Sequence, residues 1–110
     1  MEISFSDFEK VDIRVGKIAE VDDFSGTRVP SYKLLIDFGP EIGLKRSSAH
    51  VTNYRPGDLI GKEIIAVVNL KPKKVKDFES EVLVLGVPDV NGRVILLVPD
   101  RDAPIGSRMF

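Results

Sequence analysis

The run Tyr32-Lys33-Leu34-Leu35-Ile36-Asp37-Phe38 puts Tyr32, Leu34, Ile36 and Phe38 on one side and Lys33 and Asp37 on the other. A period of two held over seven residues is the mark of a strand with one buried face. The other apolar segments have the same grain. "VDIRVGKIAEV", "KEIIAVVNL", "SEVLVLGV" and "GRVILLVP" are short and β-branched, and "EIGLKRSSAHV" is a more polar run of strand length. Within the first of these, Val11, Ile13 and Val15 alternate, and the phase then changes at Gly16 to Ile18. A phase change at glycine predicts a bulge or a sharply coiled strand.

The punctuation between the runs is local. "DDFSGTRVPS" is loop chemistry, and "TNYRPGDLIG" holds a Pro-Gly turn with room for one helical turn. Residues 71–79 connect the fourth strand to the fifth, and Asn91-Gly92 turns the chain into a sixth. Ser6-Asp7-Phe8-Glu9 has capping-box spacing and predicts a short helix opening near Ser6. Five short strands with a helical turn between the third and fourth predict an all-β, five-stranded OB-fold barrel. A short N-terminal helix precedes it and a C-terminal extension strand follows, in a single domain over residues 1–110. In that fold the faces of strands 2 and 3 and the loops 1–2 and 4–5 hold oligonucleotides.

Composition narrows the chemistry. There is no cysteine, which excludes disulfides and thiolate metal sites and fits a reducing cytosol. "MEISFSDFEK" carries acids where a signal peptide would carry bases, and no apolar stretch reaches membrane-span length. The expectation is a soluble cytoplasmic protein with no membrane insertion. His50 is the single histidine, Ser47 and Ser48 have no recognisable base nearby, and no glycine loop is built to cradle phosphate. No catalytic, metal or cofactor-binding residue is predicted, so the chain reads as a non-enzyme without a cofactor.

Charge is what remains informative. The net charge is −1, but residues 1–41 carry −4, residues 42–76 carry +6 and residues 77–110 carry −3. The positive segment ends in Lys71, Lys73, Lys74 and Lys76, four lysines within six residues of the predicted 4–5 loop. Ammonium groups in that place would neutralise phosphates and release counterions, with Pro72 limiting the loop's freedom beforehand. The other reading is a solvated loop balanced by Asp77, Glu79 and Glu81. Lys45 and Arg46 on the third strand either extend the basic patch or line an ordinary exposed face. Asn69 either reads a base edge or 2′-hydroxyl or satisfies nearby backbone. Phe24, Phe78 and Tyr54 are stacking platforms or core residues.

"DIRVGKI", "KLLIDFG", "GKEIIAVVNLKPKK" and "SEVLVLG" resemble the tRNA-binding domain appended to some methionyl- and phenylalanyl-tRNA synthetases. The same domain occurs in EMAP-II-like cytokine precursors and in small free-standing proteins. "DFEKVDIRVGKI", "YKLLIDFGPEIGLKRSSAHVT", "IAVVNLKPKKV" and "SEVLVLGVPD" resemble the free-standing CsaA group most closely. The resemblance implies an OB fold, no catalysis, and tRNA or other structured RNA bound around the 4–5 loop. The residues it carries over are Asn69, Lys71, Lys74 and Ser80, with Lys73 equally basic; Lys76, Lys45 and Arg46 join the expected RNA-binding surface by charge and position alone. Independently of the resemblance, the loop positions of Phe24 and Phe78 make them candidate peptide or base contacts. In tRNA-binding members the serine is usually followed by glycine and methionine; here Glu81 and Val82 follow it. CsaA-type proteins are also associated with chaperoning of exported preproteins, implying unfolded preproteins and the export machinery as alternative partners. They form homodimers through terminal segments, here residues 1–10 and 93–110.

Overall fold

The computed structural model describes residues 1–110. Its centre is a curled antiparallel sheet of order β3-β2-β1-β4-β7, formed by Ile13–Phe24 (β1), Ser31–Asp37 (β2), Leu44–Ala49 (β3), Glu63–Val67 (β4) and Leu83–Val84 (β7). Two hairpins complete it: Lys73–Val75 (β5) with Phe78–Ser80 (β6), and Gly86–Pro88 (β8) with Val94–Leu96 (β9). The sheet makes an OB-type half-barrel. β1 has to serve two partners, and Lys17 is the handover, pairing with Glu63 of β4 and Asp37 of β2. Gly16 itself stays in regular register with Ile64 of β4, so the irregularity expected there is not at the glycine. The register shift itself lies further on, between Ile18 and Glu20. Gly16 has a different job: a Cβ there would sit 2.6 Å from the Phe38 ring and 2.7 Å from Ile36 Cγ2.

The interior is what the alternation in β2 predicts. Tyr32, Leu34, Ile36 and Phe38 belong to one buried cluster with Ile18, Val51, Leu59, Ile64 and Ala66. Leu59, fully buried, is carried by the single helical turn Pro56–Leu59 (α3) between β3 and β4. Another turn, Gly39–Ile42 (α2), occupies residues expected to begin the third strand. Gly39-Pro40 suits a turn entry, with φ 87° at Gly39 and proline in the first turn, and Gly43 ends it at φ 86°. No helix is long and apolar enough to cross a membrane.

The N-terminal helix Phe5–Glu9 (α1) begins earlier than expected. Its cap is Ser4, not Ser6, and Asp7 closes the box by bonding back to the Ser4 N–H. A short carboxylate at the third helical position suffices for that bond, so the S-x-x-E spacing from Ser6 is not the one used. Residues 106–109 return to β1, where Met109 N–H donates to Ile13 O and Gly106 N–H to Val15 O. Arg14 and Arg108 hold this return. Arg14 donates to Asp12 (2.6 Å) and to Gly106 O (3.0 Å), and Arg108 donates to Glu9 O (2.7 Å) with its Nε 3.5 Å from Asp12.

The Arg14 hydrogen bond holds the Asp12 carboxyl below its ordinary value of 3.8, with Arg14 and Arg108 charges assisting. A carboxyl depressed in the folded state stabilises at pH above its unfolded value and loses that contribution as pH falls through the folded value. Asp12→Asn should therefore cost about 1 kcal/mol at pH 7 and little near pH 2. Chemical denaturation at the two pH values measures the difference.

Candidate nucleic-acid interface

The connection between β4 and β7 is itself a hairpin. Lys73 pairs with Ser80, Lys74 with Glu79 and Val75 with Phe78, leaving Lys76-Asp77 as the turn. Lys76 takes a left-handed φ of 55°, the only non-glycine residue to do so, and its Nζ donates to Ser25 O in the 1–2 loop (3.4 Å). That bond links the two loops expected to share a ligand. Beneath it the Phe24 and Phe78 rings meet edge to face at 5.5 Å, with Lys33 Nζ 4.8 Å and 5.6 Å from their centroids. Phe24 is buried by this contact, whereas Phe78 is half-buried. Tyr54 packs against the core; its hydroxyl accepts from Leu96 N–H, and its carbonyl accepts from the Tyr32 hydroxyl.

Lys71, Lys73 and Lys74 are exposed, and no carboxylate lies within ion-pair distance of any of them. Even Lys74, opposite Glu79 in the ladder, is unpaired. The balancing of this loop by its own acids is thus not realised as contacts. The three lysines line an open groove of about 900 Å³ together with Arg28, Val29, His50, Leu83 and Val87. Half-exposed aliphatic side chains such as Val29, Leu70 and Val87 share the lining with these lysines. His50 is anchored at 2.8 Å between its Nδ1 and Ser31 Oγ.

Asn69 sits at the root of the hairpin with its amide engaged in both directions. Oδ1 accepts from Asp12 N–H (2.9 Å) and Nδ2 donates to Lys10 O (2.7 Å). It fixes the end of α1 to the start of the lysine segment. This bond between residues almost sixty positions apart could not be read from a strand-end asparagine alone.

Ser80 and Glu81 lie on the seam where the open edge of the sheet approaches β3. Ser48 N–H donates to Ser80 Oγ (3.0 Å), Ser47 Oγ to Val82 O (3.0 Å), and Glu81 N–H to Arg46 O (2.8 Å). Glu81 Oε1 accepts from the Arg46 backbone N–H (3.0 Å) and Nε (3.4 Å), and Oε2 is 4.0 Å from Lys45 Nζ. Lys45 and Arg46 are therefore paired, unlike the hairpin lysines. The seam role of Glu81 was missed in the sequence because it depends on β3 and the post-hairpin segment becoming neighbours.

An OB-type half-barrel with a basic hairpin over a partly apolar groove is a binding module. The chain belongs to the tRNA-binding domain family and is of the CsaA type within it: residues 13–108 match the family model described as "Putative tRNA binding domain". The methionine–tRNA ligase of Thermococcus kodakarensis is 37% identical over 113 residues, which cover 97% of this chain and 14% of that protein. The chain thus spans about a seventh of that curated relative's length. Two crystal structures match it from end to end. The CsaA chaperone protein of Picrophilus torridus is 51% identical with a TM-score of 0.94, covering 99% of this chain and all of that one. The chaperone CsaA of Bacillus anthracis is 47% identical with a TM-score of 0.92, covering both chains fully.

Proposed function

We propose that this protein is a non-enzymatic, cytoplasmic, homodimeric RNA-binding module that holds tRNA or another structured RNA along the β5–β6 hairpin. The observation that carries this reading is the unpaired state of Lys71, Lys73 and Lys74, three exposed cations lining one groove within a tRNA-binding family fold. The Ser80 hydroxyl joins that lining, Lys76 adds a fourth cation at the hairpin turn, and Asn69 holds the hairpin's root. Charge at such a surface supplies most of the affinity for RNA and makes it salt-dependent. A second reading has its own observation: Val29, Leu70, Leu83 and Val87 are 43–50% exposed around the same groove. They would suit an extended, unfolded preprotein segment, the ligand class implied by the resemblance to the CsaA group, with export machinery as the further partner. Titrating the protein with bulk tRNA and with an unfolded preprotein peptide separates the two. Saturable, salt-sensitive tRNA binding supports the first reading; peptide binding without it replaces that reading with the second.

The dimer proposal draws on the terminal segments, which Arg108 and Glu9 bring together. Ile3, Phe5 and Phe110 are 63%, 70% and 106% exposed, apolar surface that a second copy of the chain would cover. Deleting residues 100–110 would also strip the backbone bonds to β1, so point substitutions test the interface more cleanly. Phe5→Asp with Phe110→Asp should sediment as a folded monomer, and the parent at twice the chain mass. A double variant that remains dimeric removes the termini from the interface.

A further inference from the structure

Three donors on β3 converge on one carboxylate. The Arg46 backbone N–H and Nε point at Glu81 Oε1, and Lys45 Nζ stands 4.0 Å from Oε2. A backbone N–H, a guanidinium and an ammonium around a two-oxygen anion are the groups by which proteins hold phosphate. Here the anion belongs to the chain itself. Arg46 is also supported from a second direction, its guanidinium carbon 5.7 Å from the centroid of the Phe78 ring. Its placement does not depend on Glu81 alone.

We propose that Lys45, Arg46 and the Arg46 amide form a second phosphate site, occupied intramolecularly by Glu81. A tethered carboxylate competes at high effective concentration, so a free or RNA-borne phosphate enters only when that carboxylate is removed or displaced. Glu81 thereby confines the anion-binding surface to the hairpin. It also fastens the seam, which explains an acid beside a basic surface: its Oε1 joins β3 to the post-hairpin segment through Arg46, and the same carboxylate bars phosphate. The consequence for RNA rests on the hairpin reading given above. The site itself does not.

Two measurements test them separately. In the first, the parent and Glu81→Ala are titrated with inorganic pyrophosphate while the amide signals of Lys45 and Arg46 are followed by NMR. The variant should show a saturable shift at both residues, and the parent should show none. A folded Glu81→Ala protein without that shift overturns the second site, whatever RNA does. In the second, Glu81→Gln keeps an oxygen for the Arg46 N–H and removes the charge, so it serves even if alanine opens the seam. Freeing two cations should steepen the salt dependence of tRNA binding by roughly 1.5 in log–log slope. Lowering salt from about 200 to about 50 mM should then strengthen the variant about eightfold more than the parent by the same relation. Adding Lys45→Gln and Arg46→Gln to that variant should return the slope to the parent's. An unchanged slope in Glu81→Gln, with the parent binding tRNA, overturns the masking. So does a flatter slope when Lys45 and Arg46 are replaced in the parent, because they would then already reach phosphate. A parent that binds no tRNA overturns the hairpin reading instead, and the pyrophosphate result decides the site.

Discussion

Raising salt from about 50 to about 200 mM should weaken tRNA binding roughly sixty-fold, the result of four lysine–phosphate contacts and a log–log slope of about −3. Replacing Lys71, Lys73, Lys74 and Lys76 with glutamine should flatten that slope toward zero and remove most of the affinity at low salt. The melting temperature should hardly change. Lys71, Lys73 and Lys74 have no ion-pair partner to lose, and the bond from Lys76 to Ser25 O is long and exposed. Restoring Lys76 alone separates its loop-linking bond from its charge: a slope that recovers by about one shows that its ammonium reaches phosphate. Peptide binding should respond otherwise, with a shallow slope and a stronger dependence on Leu70 or Val87 than on any single lysine. If tRNA affinity and its slope survive loss of all four lysines, the hairpin is a solvated connection and the RNA reading falls.

The strands were legible because burial in this fold follows the alternation of β2 and the β-branched runs on either side. The helical turn at Pro56–Leu59 was announced by its Pro-Gly pair, and the hairpin to β9 by Asn91-Gly92. Short elements were less readable. The α2 turn consumes residues that continue the third strand's pattern, because positive φ at Gly39 and Gly43 outweighs propensity in so short a segment. The site divided along the same line. The position of the lysines is a matter of sequence, and their clustering is visible there. Their freedom from carboxylates, the pairing of Lys45 and Arg46 with Glu81, and the two backbone bonds of Asn69 all depend on contacts between distant segments. No local pattern encodes which carboxylate a lysine will meet. Phe24 illustrates the limit: an aromatic in a loop-like stretch becomes the buried half of an edge-to-face pair only once the 4–5 hairpin folds over it.

Gly16→Val should lower stability by about 3 kcal/mol, a drop in melting temperature on the order of 15 °C for a domain of this size. Ordinary strand chemistry gives the opposite sign, since glycine inside a strand is unfavourable and a β-branched residue should improve it. Packing decides the matter. Gly16 lies on the inward face of β1 beneath Phe38, itself 1% exposed, and an added Cβ would overlap two Phe38 ring carbons and the Ile36 methyl at 2.6–2.8 Å. Neither neighbour is the loose end of a flexible chain: Phe38 is a rigid ring held in the core, and Ile36 is wholly buried on the strand that β1 must pair with. The strain has to move the ring or the backbone, and β1 hands over from β4 to β2 one residue later. A smaller step isolates the cause. Gly16→Ala should cost about 2 kcal/mol, and Phe38→Leu about 1.5 kcal/mol through the cavity it leaves. Together they should cost at least 1 kcal/mol less than the sum, because the new methyl fills the space the ring vacates. Denaturant unfolding of the four proteins gives the cycle. Strictly additive losses, or a neutral Gly16→Ala, would mean that β1 can shift away from the ring and that the glycine is kept for the coil of the strand alone.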